Sequence, residues 1–142
     1  MLAKQLTVFI ENISGRLSEV LNVLKENGVN ILSLSLADTT EFGLLRLIVD
    51  NAAKGKEKLT ENGFSSLLSD ISIIQIPHKV GSLQELLYII DANGVNIEYM
   101  YGLSIESSMA HIVLKTSNTE KVEKILDDNG IVTISTEALA NL

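Results

Sequence analysis

The sequence predicts an α+β protein made of two copies of one β-α-β-β-α-β unit. Two observations carry this prediction: one stretch of the chain recurs at a fixed distance, and strand-like and helix-like apolar patterns follow one another in the same order in each copy. The recurring stretch is Asn-Gly-Val-Asn-Ile, at residues 27–31 and again at residues 93–97. Four further identities share that offset: Gly15 and Gly81, Leu17 and Leu83, Glu19 and Glu85, and Leu21 and Leu87. We therefore predict a tandem duplication with domains at residues 1–70 and 71–142 and a seam near Asp70.

In the first half, residues 6–10 are rich in β-forming side chains and predict the first strand. A helix is predicted next, because apolar residues recur at i, i+3, i+4 and i+7, while Glu19, Lys25 and Glu26 are left for solvent. This apolar stripe consists of Leu17, Val20, Leu21 and Leu24. Strands follow at residues 30–37 and 44–49, then a second helix at residues 52–61 and a closing strand at residues 64–68. The second helix contains Gly55, which lowers helix propensity by about 1 kcal/mol relative to alanine, so its prediction rests mainly on the repeat.

The second half repeats this order. Residues 71–76 predict a strand that stops at Pro77, the only proline. The first helix has the stripe Leu83, Leu86, Leu87 and Ile90. Strands at residues 96–103 and 111–115 follow, then a helix at residues 119–128 with Val122, Ile125 and Leu126 facing inward, and a closing strand at residues 131–135.

Four Asn-Gly pairs occur, and each follows a predicted helix. They begin at Asn27, Asn62, Asn93 and Asn129. We predict that each glycine ends its helix in the left-handed conformation, rather than forming a hairpin turn. Four helices with four glycine stops complete a duplicated ferredoxin-like fold, in which each antiparallel four-stranded sheet carries two helices on one face.

The second strand of the first half is predicted to be apolar on both faces near its start. Leu32, Leu34 and Leu36 alternate onto one side, whereas Ile31 falls on the other. Packing of one half against the other, or dimerisation through sheets, would cover this surface.

Composition and charge exclude several classes of function. Without cysteine, the chain can form neither a disulfide framework nor a thiolate zinc site nor a cysteine nucleophile. A net charge of −7 and an aromatic content of 4% do not supply the positive surface and stacking rings that nucleic-acid binding needs. No run of about 18 apolar residues and no secretory leader is visible. We expect a cytoplasmic protein that binds neither nucleic acid nor membrane.

The turn between the first strand and the first helix of each half is the candidate ligand site. A helix start offers unpaired N–H groups and a partial positive charge, which suit a carboxylate, and glycine lets a ligand approach closely. The alternative is structural: the glycine only makes a tight turn and Ser14 caps the helix. The candidate residues are Asn12, Ile13, Ser14, Gly15, Arg16 and Leu17 in the first half, and His78, Lys79, Val80, Gly81, Ser82 and Leu83 in the second.

These motifs resemble the ACT domain family. The resemblance rests on Gly-x-Leu after the first strand, an amphipathic helix, and Asn-Gly-Val-Asn-Ile opening the second strand; residues 93–101 are especially similar to the tandem ACT proteins of bacteria. It covers essentially the whole chain. It implies a small regulatory domain that binds a free amino acid at an interface between two ACT domains, between the first turn of one and strand residues of its neighbour.

The family's turn typically reads Asp-Arg-Pro-Gly-x-Leu, and its glycine and leucine match in both halves. In the first half Asn12 stands at the acidic or amide position and Ser14 replaces the proline. In the second half His78 and Val80 occupy these two positions. The first turn keeps an amide, which can bond both the ammonium and the carboxylate of an amino acid, whereas the second turn has lost it, so we expect the two sites to differ.

The resemblance also assigns the entrances of the second strands to the ligand site. Asn30 and Ile31 match the family's Asn-Ile in the first half, and Asn96 and Ile97 match it in the second. For both asparagines the alternative is capping of the strand entry.

The remaining candidates are weaker. His78 and His111 are 33 positions apart in different elements, which predicts no metal site, and no cofactor is expected. We expect His111 to be a surface or interface residue. Tyr99 and Tyr101 share one face of a strand, where they cover an interface or line an apolar pocket. The acidic residues of the last long helix form a solvated face.

Three classes of function remain open. The leading one is a stand-alone amino-acid sensor or regulatory subunit without catalytic activity, most simply a homodimer, acting on an enzyme in a separate chain. The second is a small enzyme resembling acylphosphatase, in which Arg16 would cradle a phosphate and Asn30 would orient water. The second half lacks this arginine, because Ser82 takes its place. The third is a purely structural dimerisation module.

Overall fold

The computed structural model of the chain describes residues 3–11, 13–38, 41–103 and 108–142. The first half contains β1 (Ala3–Glu11), α1 (Arg16–Glu26), β2 (Ile31–Asp38), β3 (Phe42–Val49) and α2 (Ala52–Glu61). The second half follows through β4 (Ser65–Pro77), with α3 (Ser82–Ala92), β5 (Ile97–Leu103), β6 (Met109–Thr116), α4 (Thr119–Asp128), β7 (Val132–Ile134) and α5 (Thr136–Ala140). The predicted α+β fold, a duplicated ferredoxin-like β-α-β-β-α-β unit, is confirmed.

The strand β4 differs from the prediction at the seam. Two strands were expected, at residues 64–68 and 71–76, but residues 65–77 form one strand of 13 residues. The reason is local, because no glycine or proline interrupts this stretch before Pro77. By its internal contacts the chain divides into two compact units, residues 4–69 with 140–142, and residues 70–139 with Ala3.

Each unit is built on an antiparallel sheet with the same strand order. In the first, β3 pairs with β1 and β2, and β1 neighbours β4, whose first residues belong to the same unit. In the second, β6 pairs with β4 and β5, and β4 pairs with β7. Among the described residues, β2 and β5 are therefore edge strands, each paired along one side only.

The helices of each unit cover one face of its sheet and enclose a core. In the first unit, Leu6, Val8, Leu45 and Leu47 of the strands pack with Val20, Leu24 and Leu59 of the helices. In the second, Ile74, Ile76 and Leu114 pack with Leu86, Ile90, Val122 and Leu126. Gly55 of α2 faces the first core, and a Cβ there would lie 3.2 Å from Leu6 Cδ2. Glycine thus lets this helix pack closely, which offsets its low helix propensity.

A β-bulge near the start of β2 changes the expected alternation of side chains. The register shifts between Ile31 and Ser33, so that Ile31 pairs with Val49 while Leu34 pairs with Leu47. Both partners belong to the core under the helices. The prediction that Ile31 lies opposite Leu34 and Leu36 is therefore wrong, because the extra residue of the bulge brings Ile31 to the same face.

All four Asn-Gly pairs end helices, as predicted. At the end of α1, Gly28 has φ 69°. Its N–H donates to Lys25 O, and the N–H of Val29 donates to Leu24 O, which is the Schellman arrangement. The Nδ2 group of Asn27 also donates to Val23 O at 2.8 Å. The same bonds recur at the other three helix ends, at Asn62, Asn93 and Asn129.

The end of the chain contains a short helix that was not predicted. The closing strand, expected over residues 131–135, stops at Ile134. Ser135 instead caps α5, because its Oγ accepts a hydrogen bond from the N–H of Ala138 at 3.1 Å.

Candidate functional site

The two strand-to-helix turns have nearly the same backbone. Gly15 and Gly81 precede α1 and α3 with φ of 90° and 88°. In the first turn the N–H of Arg16 donates to Ile13 O at 3.3 Å, and in the second Ser82 donates to Lys79 O at the same distance. A Cβ at either glycine would meet no atom within 4 Å. The positive φ, and not crowding, therefore requires glycine, and the space beside each glycine is open.

The starts of α1 and α3 carry no side-chain cap, whereas those of α2 and α4 do. Asn51 and Asn118 accept hydrogen bonds from the N–H groups of Lys54 and Lys121 at 3.2 and 3.1 Å. At Gly15 and Gly81 no side chain of the described residues accepts such a bond. The structural alternative in which Ser14 caps α1 is therefore wrong, because the glycine itself occupies the cap position. Both turns leave helix N–H groups available to an anionic ligand.

Arg16 borders the first turn, and its guanidinium group contacts other side chains of the same unit. Its guanidinium lies 3.0 Å from a carboxylate oxygen of Glu19 and 3.9 Å from one of Glu11. It also stands over the ring of Phe64, 6.0 Å from the centroid. Ile13, Ser14 and Gly15 are exposed and Leu17 is half-buried against the core. Asn12, the predicted amide, lies outside the described residues.

An open cavity of about 230 Å³ adjoins this first turn. All three phenylalanines of the chain, Phe9, Phe42 and Phe64, line it together with Glu11 and Arg16. The sequence does not predict this convergence, because the three rings come from two strands and a helix-to-strand connection. Their only signal in the sequence is that each lies close to the end of an element.

The second turn differs in charge and in burial. His78, Lys79, Val80 and Gly81 are exposed, and Leu83 is 41% exposed. Ser82, which replaces the arginine, is buried, and its hydroxyl has no hydrogen-bond partner within the described ranges. An open groove of about 610 Å³ runs from this turn along α3. The predicted difference between the two turns is therefore one of side-chain chemistry on nearly the same backbone.

The strand entrances lie at the far ends of α1 and α3 from the glycine turns. Each helix has 11 residues, so about 16 Å separates its two ends. Asn30 and Asn96 follow the C-terminal ends, whereas Gly15 and Gly81 precede the N-terminal ends. Within one half, the two predicted parts of the ligand site are therefore not brought together. For the same reason Arg16 and Asn30 cannot act on one phosphate within the first half.

The strand entry of the first half is held by Asp50. The N–H of Asn30 donates to Asp50 Oδ1 at 2.9 Å, and Asn30 O accepts from the N–H of Asp50 at 3.0 Å. In the second half, Asn96 O accepts from the N–H of Ser117 at 3.2 Å. No capping bond from either asparagine side chain is present in the described structure. Both asparagines are exposed, whereas Ile31 and Ile97 pack against the cores.

The remaining residues singled out from the sequence are His111, Tyr99 and Tyr101. His111, expected at a surface or an interface, is only 3% exposed, and both ring nitrogens lack a partner in the described part of the chain. In the sheet it pairs with Gln75 of β4 and Leu103 of β5. The rings of Tyr99 and Tyr101 are stacked, with centroids 6.5 Å apart. Among the described residues no cluster of three metal-ligating side chains is found.

Comparisons with known proteins agree with this geometry. A family model described as an ACT domain pair matches residues 1–142. A crystal structure of a protein from Bacteroides thetaiotaomicron is 36% identical, with a TM-score of 0.93, over 100% of this chain and 98% of that one. The ligand-free regulatory subunit of aspartate kinase from Thermus thermophilus is 17% identical, with a TM-score of 0.61, over 90% and 96% of the two chains. The corresponding Thermus flavus subunit is 18% identical, with a TM-score of 0.57, over 90% and 94%.

The two Thermus structures are similar to this chain in fold alone. A search of curated proteins found no match. None of the helices in the described ranges has the length and apolar character needed to cross a bilayer.

Proposed function

Since the chain belongs to the family of ACT domain pairs, we propose that it is a regulatory protein that binds a free amino acid or a similar small carboxylate. The observation that carries this proposal is the pair of uncapped helix starts, each beside an open glycine turn. Uncapped N–H groups and the positive end of the helix dipole favour a carboxylate at this position. Residues 1–70 and 71–142 are proposed as the two ACT domains.

The ligand is proposed to be shared by two copies of the fold. A turn and a strand entry of the same half stand at opposite ends of a helix about 16 Å long. A small amino acid cannot span that distance. It contacts both parts only if the turn of one ACT fold meets the strand entry of another.

The ligand then acts by changing how two folds associate. Its effect is limited to the difference between its affinities for the two arrangements, typically about 1–3 kcal/mol. The activity under control is proposed to belong to an enzyme in another chain, in the cytoplasm. Under this proposal the chain itself has no catalytic role.

A homodimer is part of the proposal. Among the described strands, β2 and β5 lie at the two ends of the strand order, and an edge position favours pairing with a second chain. Beside the edge formed by β2, Leu34 and Leu36 are each 49% exposed. A second copy of the chain would cover these side chains.

A thermal-denaturation screen against the twenty amino acids tests the proposal. A ligand present at about 100 times its dissociation constant raises the free energy of unfolding by about 2.7 kcal/mol, which is a shift of several degrees in Tm for a chain of this size. The amide derivative of any hit is the matched control. It lacks the carboxylate and should give a much smaller shift.

Two outcomes would contradict the proposal. Equal shifts in Tm with the amino acid and its amide would show that the helix start does not bind the ligand's carboxylate. The absence of a shift with all twenty amino acids would favour the purely structural dimerisation module instead.

A further inference from the structure

Asn93 and Gly94, at the end of α3, form an Asn-Gly pair whose contacts differ from those of the other three. Glycine has no side chain to shield its nitrogen, so an asparagine before glycine is especially open to deamidation, in which that nitrogen attacks the side-chain amide. The chain contains four such pairs, and their asparagines are Asn27, Asn62, Asn93 and Asn129. All four have nearly the same backbone, with ψ between 8° and 13°. A difference in reactivity between them must therefore come from their contacts.

The folded end of α3 prevents the ring closure that this reaction needs. The five-membered imide ring requires Cβ of Asn93 and the nitrogen of Gly94 to lie on the same side of the Cα–C bond, but at a ψ of 8° they point apart. The N–H of Gly94 also donates to Asp91 O at 3.0 Å, and Asn93 Nδ2 donates to Ile89 O at 2.8 Å. Deamidation of this pair therefore requires the helix end to open first.

The end of α3 is held less tightly than the ends of the other long helices. The N–H of Val95 donates to Ile90 O at 3.4 Å, whereas the corresponding bond is 2.9 Å long at the ends of α1, α2 and α4. This bond closes the Schellman arrangement, so its greater length indicates a helix end that opens more readily. Asn93 and Gly94 are both exposed, so hydroxide and water reach them.

A lysine ammonium is bonded to the carbonyl group of the amide that would react. Lys121, in the first turn of α4, donates from Nζ to Asn93 O at 3.1 Å. The nitrogen of Gly94 attacks only after it has lost its proton, and amide resonance then places much of the negative charge on Asn93 O. A cation at that oxygen stabilises the anion, as the donors of an oxyanion hole do. In the described part of the chain, no basic side chain makes this bond to the other three asparagines.

We propose that Asn93 is a site of spontaneous deamidation and that Lys121 promotes the reaction. When the end of α3 opens, hydroxide removes the proton of the Gly94 nitrogen, and this nitrogen forms a bond to Asn93 Cγ. The Cγ–Nδ2 bond breaks, and Nδ2 leaves as ammonia after taking a proton from water. Water then hydrolyses the cyclic imide at either carbonyl, which leaves aspartate or isoaspartate at position 93. None of these steps requires the ligand of the proposed function.

The modification changes both the charge and the bonding at the end of α3. The new carboxylate stands two residues after Asp91, at the negative end of the helix dipole, and the bond from Nδ2 to Ile89 O is lost. Both changes destabilise the helix end. Position 93 also lies three residues before Asn96, so the modification alters the surroundings of the strand entry in the second half.

Peptide mapping by mass spectrometry tests the proposal on the full chain incubated in mildly alkaline buffer. Deamidation is measured from the mass gained when NH2 is replaced by OH, and all four pairs are followed in one sample. We expect Asn93 to react at least about threefold faster than each of the other three asparagines, and Lys121→Met to slow its reaction about threefold, which is the effect of an exposed charge-assisted hydrogen bond. Lys121→Arg keeps the cation and should preserve the original rate. In urea, where the chain is unfolded, Lys121→Met should leave the rate unchanged.

The direction of the change separates this role of Lys121 from a structural one. If Lys121 only held the end of α3 closed, Lys121→Met would ease its opening and speed the reaction. Lys124→Met is the matched control, because it removes the same charge from an exposed position of the same helix and should leave the rate unchanged. Circular dichroism confirms that each variant is folded. Three results would overturn the proposal: an Asn93 that reacts no faster than the other asparagines, an unchanged or faster reaction in Lys121→Met, or equal slowing by Lys124→Met.

Discussion

The two strand-to-helix turns have nearly the same backbone, but the residue after the glycine gives each turn a different surface. Arg16 at the start of α1 bonds Glu19 and stands over Phe64, whereas Ser82 at the same place in α3 is buried with an unpartnered hydroxyl among the described residues. Backbone geometry does not distinguish the turns, because Gly15 and Gly81 have almost equal dihedral angles. The side chain after the glycine decides the local charge.

Gly81→Ala tests whether the turn needs a left-handed residue. We expect the free energy of unfolding to fall by about 1–2 kcal/mol, because alanine at a φ of 88° is strained. Gly102→Ala is the matched control in the same half, since a Cβ there also meets nothing within 4 Å and φ is not positive. Urea denaturation of the two variants gives the comparison, and equal losses would contradict the argument from φ.

At the scale of the elements, the long helices share one C-terminal arrangement but have two kinds of N-terminus. All four long helices end in the same Schellman arrangement. By contrast, α2 and α4 begin at a capping asparagine, and α1 and α3 begin at a glycine without a side-chain cap. The helices that follow the candidate turns are thus the ones whose N–H groups stay available.

Replacing an asparagine that caps a helix should lower the free energy of unfolding more than replacing Ser14, which caps none. Asn118→Ala removes the bond to the N–H of Lys121, and we expect a loss of about 1 kcal/mol in the free energy of unfolding. Ser14→Ala removes no cap and should change that free energy by less than about 0.5 kcal/mol. Denaturation midpoints measure both variants, and a loss at Ser14 as large as that at Asn118 would show that Ser14 caps α1 after all.

At the scale of the molecule, the candidate site is divided. The turn and the strand entry of each half stand at opposite ends of one helix, so neither half offers a complete site. The proposed function therefore depends on association between folds, which makes binding and assembly two aspects of one equilibrium.

Mixing two inactive variants tests this division. We expect Asn12→Ala and Asn30→Ala each to weaken ligand binding at least about tenfold, because each loses a polar contact to the ligand. If the ligand joins the turn of one chain to the strand entry of a second, an equimolar mixture regains intact sites in mixed dimers. Isothermal titration calorimetry of each variant and of the mixture measures the recovery. A mixture as weak as its components would show that the ligand does not join Asn12 of one chain to Asn30 of a second.

The order of elements and the ends of the helices could be predicted from the sequence because they depend on local interactions. Apolar periodicity and the Asn-Gly bonds act over about four or five residues, and duplication repeats each signal. In this way α2 was predicted despite Gly55. The site residues of the turns were also chosen locally, from the glycines and the resemblance.

The tertiary structure decided which residues become neighbours in space. The bulge in β2 moved Ile31 to the core face, an uninterrupted β4 replaced two strands, and His111 is buried in the folded chain. The convergence of Phe9, Phe42 and Phe64 likewise comes from residues distant in the chain. The physical reason is that neighbours across a sheet depend on register, and one extra residue moves a side chain to the other face, whereas helix periodicity and caps need only adjacent turns.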